Sequence, residues 1–148
     1  MTIKTFRGLL ADGGQDTIVL HTNDGSTGYR IVKFQLMPDA PGTLEHELVC
    51  KVYKVKQTTV DGLIDFSDNT LLAASIMTSY APTAYITATT TIFDNEIFNQ
   101  DIYVTAVDTE SSSATNYYIE LETVKLDLSE STVASLKDIR NVYSQITT

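Results

Sequence analysis

From Tyr29 almost to Leu128 the chain repeats short runs in which apolar and polar residues alternate, rich in Thr, Val, Ile and Tyr. The run Tyr117-Tyr118-Ile119-Glu120-Leu121-Glu122 puts Tyr117, Ile119 and Leu121 on one side and both glutamates on the other. Repetition every second residue marks a strand with one buried and one wet face. It predicts strands over Thr2 to Leu10, Asp16 to Thr22, Tyr29 to Met37, Glu45 to Lys56, Leu71 to Ser79, Tyr85 to Phe93, Asp101 to Val107 and Tyr117 to Leu128. Ile18 and Leu20 face inward on the second. Val32, Phe34 and Leu36 do so on the third, with Arg30 toward the same side. Leu48, Cys50 and Val52 share the inner face of the fourth, and Ile102, Val104 and Ala106 that of the seventh. In the last strand the inward phase passes from Ile119 and Leu121 to Val124, Leu126 and Leu128, which predicts a bulge near Thr123.

Turn chemistry separates these runs. Asp12-Gly13-Gly14 and Asn23-Asp24-Gly25-Ser26-Thr27-Gly28 supply glycine where the chain must reverse. Pro38-Asp39-Ala40-Pro41-Gly42 removes ladder donors and ends the third strand. Only the C-terminal end reads as helical. Ser129 is placed to cap a helix running to about Tyr143, with an apolar stripe of Val133, Leu136, Ile139 and Tyr143. Glu130 and Arg140 complement its two ends. About eight strands and one helix predict an all-β protein: an antiparallel β-sandwich, with a jelly roll as the leading topology. Residues 1–128 form the sandwich, and 129–148 a terminal helix within the same single domain.

Composition then narrows the function classes. At 148 residues, 43% hydrophobic and 20% charged, the chain can bury one core and is not disordered. Its net charge of −9 argues against nucleic acid and anionic membranes, because its 10 Lys and Arg are scattered. No apolar run is long enough to span a bilayer, and Met1 to Arg7 lacks the apolar core of a signal peptide, so the expectation is a soluble protein made in a cytoplasm. The single cysteine, Cys50, has no partner within the chain and reads as a core residue.

Chemistry is sparse. His46 and Cys50 share one face of a strand, but four extended residues separate them by ~13 Å, too far for a nucleophile and its base. His46 reads as a surface residue. Gly25-Ser26-Thr27-Gly28 is not a nucleophile elbow, and Gly13-Gly14 lacks the lysine and helix of a phosphate loop. Acids cluster at Asp61, Asp65 and Asp68 and again at Asp94, Glu96 and Asp101, without the spacing of a calcium loop. They read as solvated turn formers. No catalytic residue, cofactor or metal site is predicted, and the chain is not expected to be an enzyme.

Surfaces are more informative. The outward face of the fourth strand carries Val49, Tyr53 and Val55 beside Lys51, more apolar than a solvated face should be. It is a candidate contact surface, unless a loop or the terminal helix covers it. Tyr103 and Tyr118 stand opposite the inward residues of their strands, and Tyr80 and Tyr85 flank Pro82. Outward tyrosines pack either across strands or against a partner. Val49, Tyr53, Val55, Tyr103 and Tyr118 are therefore the predicted interface residues.

Several segments also resemble a known group. They are Phe34 to Gly42, Asp65 to Leu72, Asp94-Asn95-Glu96-Ile97-Phe98-Asn99-Gln100-Asp101-Ile102-Tyr103-Val104-Thr105, Asn116 to Glu122, Lys125 to Leu128 and Ser129 to Asn141. Together they resemble small proteins encoded among the virion structural genes of marine tailed bacteriophages. The resemblance spans most of the chain and brings no active-site residues. It implies a protein of the virion, made in the host cytoplasm, with capsid or other virion proteins as partners and many copies or a homo-oligomer on the particle. Acidic charge favours the exterior, away from packaged DNA. The expected role is capsid decoration, acting by protein–protein contacts. The alternative is a tail- or fibre-associated module that touches the host surface, with calcium held by the loop acids.

Overall fold

Eight strands form where the alternation places them: β1 (Ile3–Leu10), β2 (Gly14–Ile18), β3 (Thr27–Pro38), β4 (His46–Tyr53), β5 (Leu71–Tyr80), β6 (Tyr85–Phe93), β7 (Ile102–Asp108) and β8 (Thr115–Lys125). The computed structural model describes residues 2–80, 85–127 and 129–137, with the side chains of residues 85–87 outside that description. One sheet has the order β1-β8-β3 and the other β2-β7-β4-β5-β6, with every neighbouring pair antiparallel. From β1 to β4 the chain changes sheet at each step, and it changes again between β7 and β8. That winding is a jelly roll. In the symmetric form of the fold β6 would lie beside β3. Here it pairs with β5, so three strands face five.

The core lies between the sheets. Leu48, Cys50 and Val52 from β4 and Ile102, Val104 and Ala106 from β7 meet Phe34 from β3 and Ile119 and Leu121 from β8, all essentially without solvent contact. The inner faces of β4, β7 and β8 are thus those that the alternation predicts. Gly13 (φ 77°) and Gly25 (φ 67°) occupy the left-handed region at the two predicted turns.

Four local expectations are corrected. Val32 is exposed, and Tyr29 and Ile31 are buried with Phe34 and Leu36. The register slips by one residue between Ile31 and Lys33, so the bulge sits on β3 at Val32 and not on β8 at Thr123. The same slip puts Arg30 on the outer face, where it pairs with Glu122. β8 itself carries no inserted residue, pairing with β1 as far as Glu122 and with β3 as far as Lys125, and Leu126 is then buried past the strand's end, its N–H donating to Ser26 O. β2 ends at Ile18, although Leu20 is still buried.

The helical residues 129–137 (α1) are capped by Asp127 rather than Ser129. The Asp127 Oδ1 accepts from the Glu130 N–H at 2.7 Å, and its carbonyl accepts from the Ser131 N–H. The bond from the Glu130 backbone to the carboxylate, foremost among its causes, lowers the Asp127 pKa. Val133 and Leu136 are exposed, while Ser131 is buried against the sandwich. Leu128, Ile139, Arg140 and Tyr143 lie outside the described residues.

Candidate functional site

The two sheets present different outer faces. Beyond β4 the loop of residues 54–70 folds back over the five-stranded sheet. Gln15 on β2 holds it at one point, donating from Nε2 to Gln57 O at 3.0 Å and accepting from the Gln57 N–H at 2.9 Å. Lys51 holds it at another. Its ammonium is buried, donating to Asp61 Oδ1 at 3.3 Å and to Leu63 O, and lies 5.4 Å from the centre of the Tyr53 ring. Gly62 lies over this face, where a β-carbon would stand 3.8 Å from Val49 Cγ2.

Val49 and Tyr53 are therefore only 6% exposed each. A loop of the chain itself covers them, which accounts for the apolar character of that face and closes it to a partner. Val55 is half-buried where the loop departs, its carbonyl accepting from Gln57 Nε2. Tyr103 is half-buried between Thr17 and Tyr53, and burial, with the nearby Asp101 charge, raises its phenol pKa. Replacing Asp61 by Ala leaves the Lys51 ammonium buried with only a carbonyl. Because Asp61 itself is half-exposed, the expected cost is about 1 kcal/mol, read as faster proteolytic cleavage within residues 57–66.

Nothing among the described residues roofs the three-stranded sheet. The registers set its outer side chains in rows: Leu9, Asn116 and Met37; then Arg7, Tyr118 and Gln35; then Thr5, Glu120 and Lys33; then Ile3, Glu122 and Arg30. Leu9 and Met37 are 58% and 62% exposed, high for side chains of their size within strands. Arg30 is held by Glu122, whereas Arg7 and Lys33 have no carboxylate partner among the described residues. The Lys33 ammonium lies 5.9 Å from the centre of the Tyr118 ring. The Tyr118 hydroxyl donates to Glu120 Oε2 at 2.8 Å, and that bond raises its pKa. A shallow depression of about 600 Å³ runs across Arg7, Leu9, Met37 and Tyr118. Of the five predicted interface residues, Tyr118 alone lies on this unroofed sheet.

The loop acids serve the chain's own turns and ion pairs. Asp65 accepts from Ser67 and Asp68 from Thr70, Glu96 holds Lys54 and Lys137, and Asp101 accepts from the Leu20 and His21 N–H groups. Among the described residues no group of three or more His, Cys, Asp or Glu is arranged to hold a metal ion. A cleft of about 770 Å³ lies beside them, lined in part by Phe66, Ile92, Phe93, Lys54 and Glu96.

His46, expected at the surface, is buried at one end of the core. Its Nδ1 lies 2.8 Å from Asp108 Oδ2, and the side chains are 1% and 0% exposed. Asp108 also accepts from the N–H groups of Glu47, Glu110, Ser111 and Ser113, so it ties β4 to the loop after β7. Within that loop Ser112 takes φ 53°, a backbone conformation uncommon for a residue with a side chain. Ser79 stands opposite His46 across β4 and β5, and neither its Oγ nor His46 Nε2 has a hydrogen-bond partner among the described residues. Ser, His and Asp thus lie side by side, all three buried. Sixty-odd residues separate His46 from Asp108, and only the acid followed by Thr109-Glu110-Ser111 signals a turn-forming carboxylate. Burial pushes the Cys50 thiol pKa up and leaves it an inert core group.

No family model matches the chain, and no curated protein does. Among solved structures it is similar to the crystal structure of the Yersinia pseudotuberculosis-derived mitogen, at 11% identity and a TM-score of 0.35, over 85% of this chain and 86% of that one. A likeness of that degree carries nothing about ligands or partners.

Proposed function

We propose that this chain is a structural protein of a phage particle, a capsid decoration protein that docks on the outside of the shell through the bare face of the three-stranded sheet and acts by contact rather than catalysis. The observation that carries this reading is the asymmetry of the sandwich. One sheet is roofed by the chain's own loop, while the other presents Tyr118 beside Arg7 and Lys33, which have no carboxylate partner among the described residues, flanked by the exposed apolar Leu9 and Met37. Aromatic and apolar side chains on a rigid sheet supply buried area at low entropic cost, and Arg7 and Lys33 suit an acidic partner surface. The chain's net charge of −9 keeps the remainder of a crowded exterior soluble and disfavours a place against packaged DNA. A tail- or fibre-associated module would hold calcium through the loop acids Asp61, Asp65 and Asp68, which are already engaged with Lys51, Ser67 and Thr70.

The test is rebinding of purified protein to particles stripped of it. Wild type is expected to return at high copy number. Tyr118→Glu and Met37→Asp, both on the outer face, are expected to melt like wild type and to lose at least about tenfold in affinity. Tyr118→Phe should bind as wild type. Normal rebinding by both charged variants would show that this face is not the contact, and a handful of copies per particle would favour the tail.

A further inference from the structure

We infer that β6 is a self-association edge, pairing antiparallel with β6 of a second copy about a two-fold axis near Thr90. An outer strand leaves one row of backbone N–H and C=O groups without ladder partners, and such edges are normally blunted by charge, proline, bulges, brevity or a covering segment. The other three edges of the sandwich all show such devices. β1 carries Lys4 and Arg7. β2 has five residues and includes Asp16. β3 is bridged at Tyr29 by Phe98, bulges at Val32, and ends on Pro38.

β6 differs. Its nine residues, YITATTTIF, contain no charge, no proline and no glycine, and most are β-branched. Among the described residues it is hydrogen-bonded to β5 and to no other strand. A slip in register near its start leaves residues 88–93 in unbroken pairing with β5, an extended edge six residues long. Ala88, Thr89 and Thr90 are exposed, as are Ile92 and Phe93.

The strand's own uncharged, self-complementary sequence points to a second copy as the occupant. Two copies of a chain with net charge −9 repel across most of their surfaces. Along this neutral edge that repulsion is least, and the strand is complementary to itself. A two-fold at Thr90 sets each Thr90 against its counterpart, Thr89 against Thr91, and Ala88 against Ile92. Threonine and β-branched pairs of this kind suit a ladder. The contact uses the same patch on both copies, so it closes at a dimer. It lies in the five-stranded sheet and is independent of the proposed shell contact around Tyr118.

Analytical ultracentrifugation of the full chain tests it. Wild type is expected to sediment as a dimer at micromolar concentration. Thr90→Lys and Thr90→Glu each place like charges face to face, and each should weaken dimerisation at least about tenfold. An equimolar mixture of the two variants should dimerise again, because the charges are then opposite. That rescue excludes misfolding as the cause of the loss. A wild-type monomer at submillimolar concentration, a dimer insensitive to both substitutions, or an assembly larger than a dimer would each overturn the inference. Shell binding by the Tyr118 face is read separately and can survive any of these results.

Discussion

Replacing Asp108 by Ala is expected to cost about 3–5 kcal/mol of stability, seen as a large drop in Tm and in the urea midpoint. The carboxylate has no solvent contact and accepts from His46 and from four backbone N–H groups. Its loss strands those donors and leaves His46, already without a partner at Nε2, with no partner at either nitrogen. The same contacts fix the acid response. Burial alone would raise the Asp108 pKa, but the hydrogen bonds from His46 and the loop N–H groups outweigh it and hold the carboxyl at about 2, below its ordinary 3.8. A folded-state pKa below the unfolded value adds stability that is complete above the unfolded value. That stability, about 2 kcal/mol, is lost as pH falls from about 4 toward 2. Tm measured against pH checks the sign: wild type should lose stability across that window, and Asp108→Asn should lose much of the slope. A variant melting within a degree of wild type would mean that the hub contributes little.

Phe98→Ala is the second large effect, expected to cost about 3–5 kcal/mol. Phe98 belongs to no strand of either sheet, yet it is 2% exposed. Its N–H donates to Tyr29 O at 3.0 Å and its carbonyl accepts from the Tyr29 N–H at 2.8 Å, with the two rings stacked at 6.4 Å. The next residue, Asn99, is fully buried and donates from Nδ2 to Gly25 O, Ser131 O and Ser135 Oγ. This short segment therefore fastens the connection between β6 and β7 to β3 and to the start of α1. Truncation leaves a cavity beneath that seam. Urea unfolding checks it against Val133→Ala, which removes an exposed side chain and should stay within about 0.5 kcal/mol of wild type.

The residues that the sequence placed correctly are those governed by nearest neighbours. Leu48, Cys50 and Val52 were legible because alternation depends only on the pleat. The β-sandwich followed from strand count and length, with the jelly roll as its leading topology. Val32 was misplaced because its bulge is set by pairing with β8, about ninety residues away along the chain, and the phase shift in β8 pointed to the wrong strand of that pair. The helix start moved to Asp127 because an aspartate two residues before Ser129 competes for the same backbone donors. For the candidate site, Tyr118 was legible as an outward tyrosine, and the apolar outer face of β4 was also visible. What covers that face was not, since it depends on where the Asp61 loop folds. The His46–Asp108 pair was hidden for the same reason: it is made by strand order, which no local pattern encodes.

Strand order also dictates when the proposed docking face can exist. β8 is the last strand among the described residues and the central strand of its sheet, with β1 and β3 on either side. Ile3 pairs with Glu122 and Leu10 with Thr115, among the longest loop closures available to a chain of this size. During synthesis β1 and β3 therefore emerge without a sheet to join, and neither gains its ladder until β8 has left the ribosome. Tyr118 lies in that final strand, so a truncated or half-made chain lacks the proposed docking face, and a partner recognising that sheet would select for chains that have finished folding.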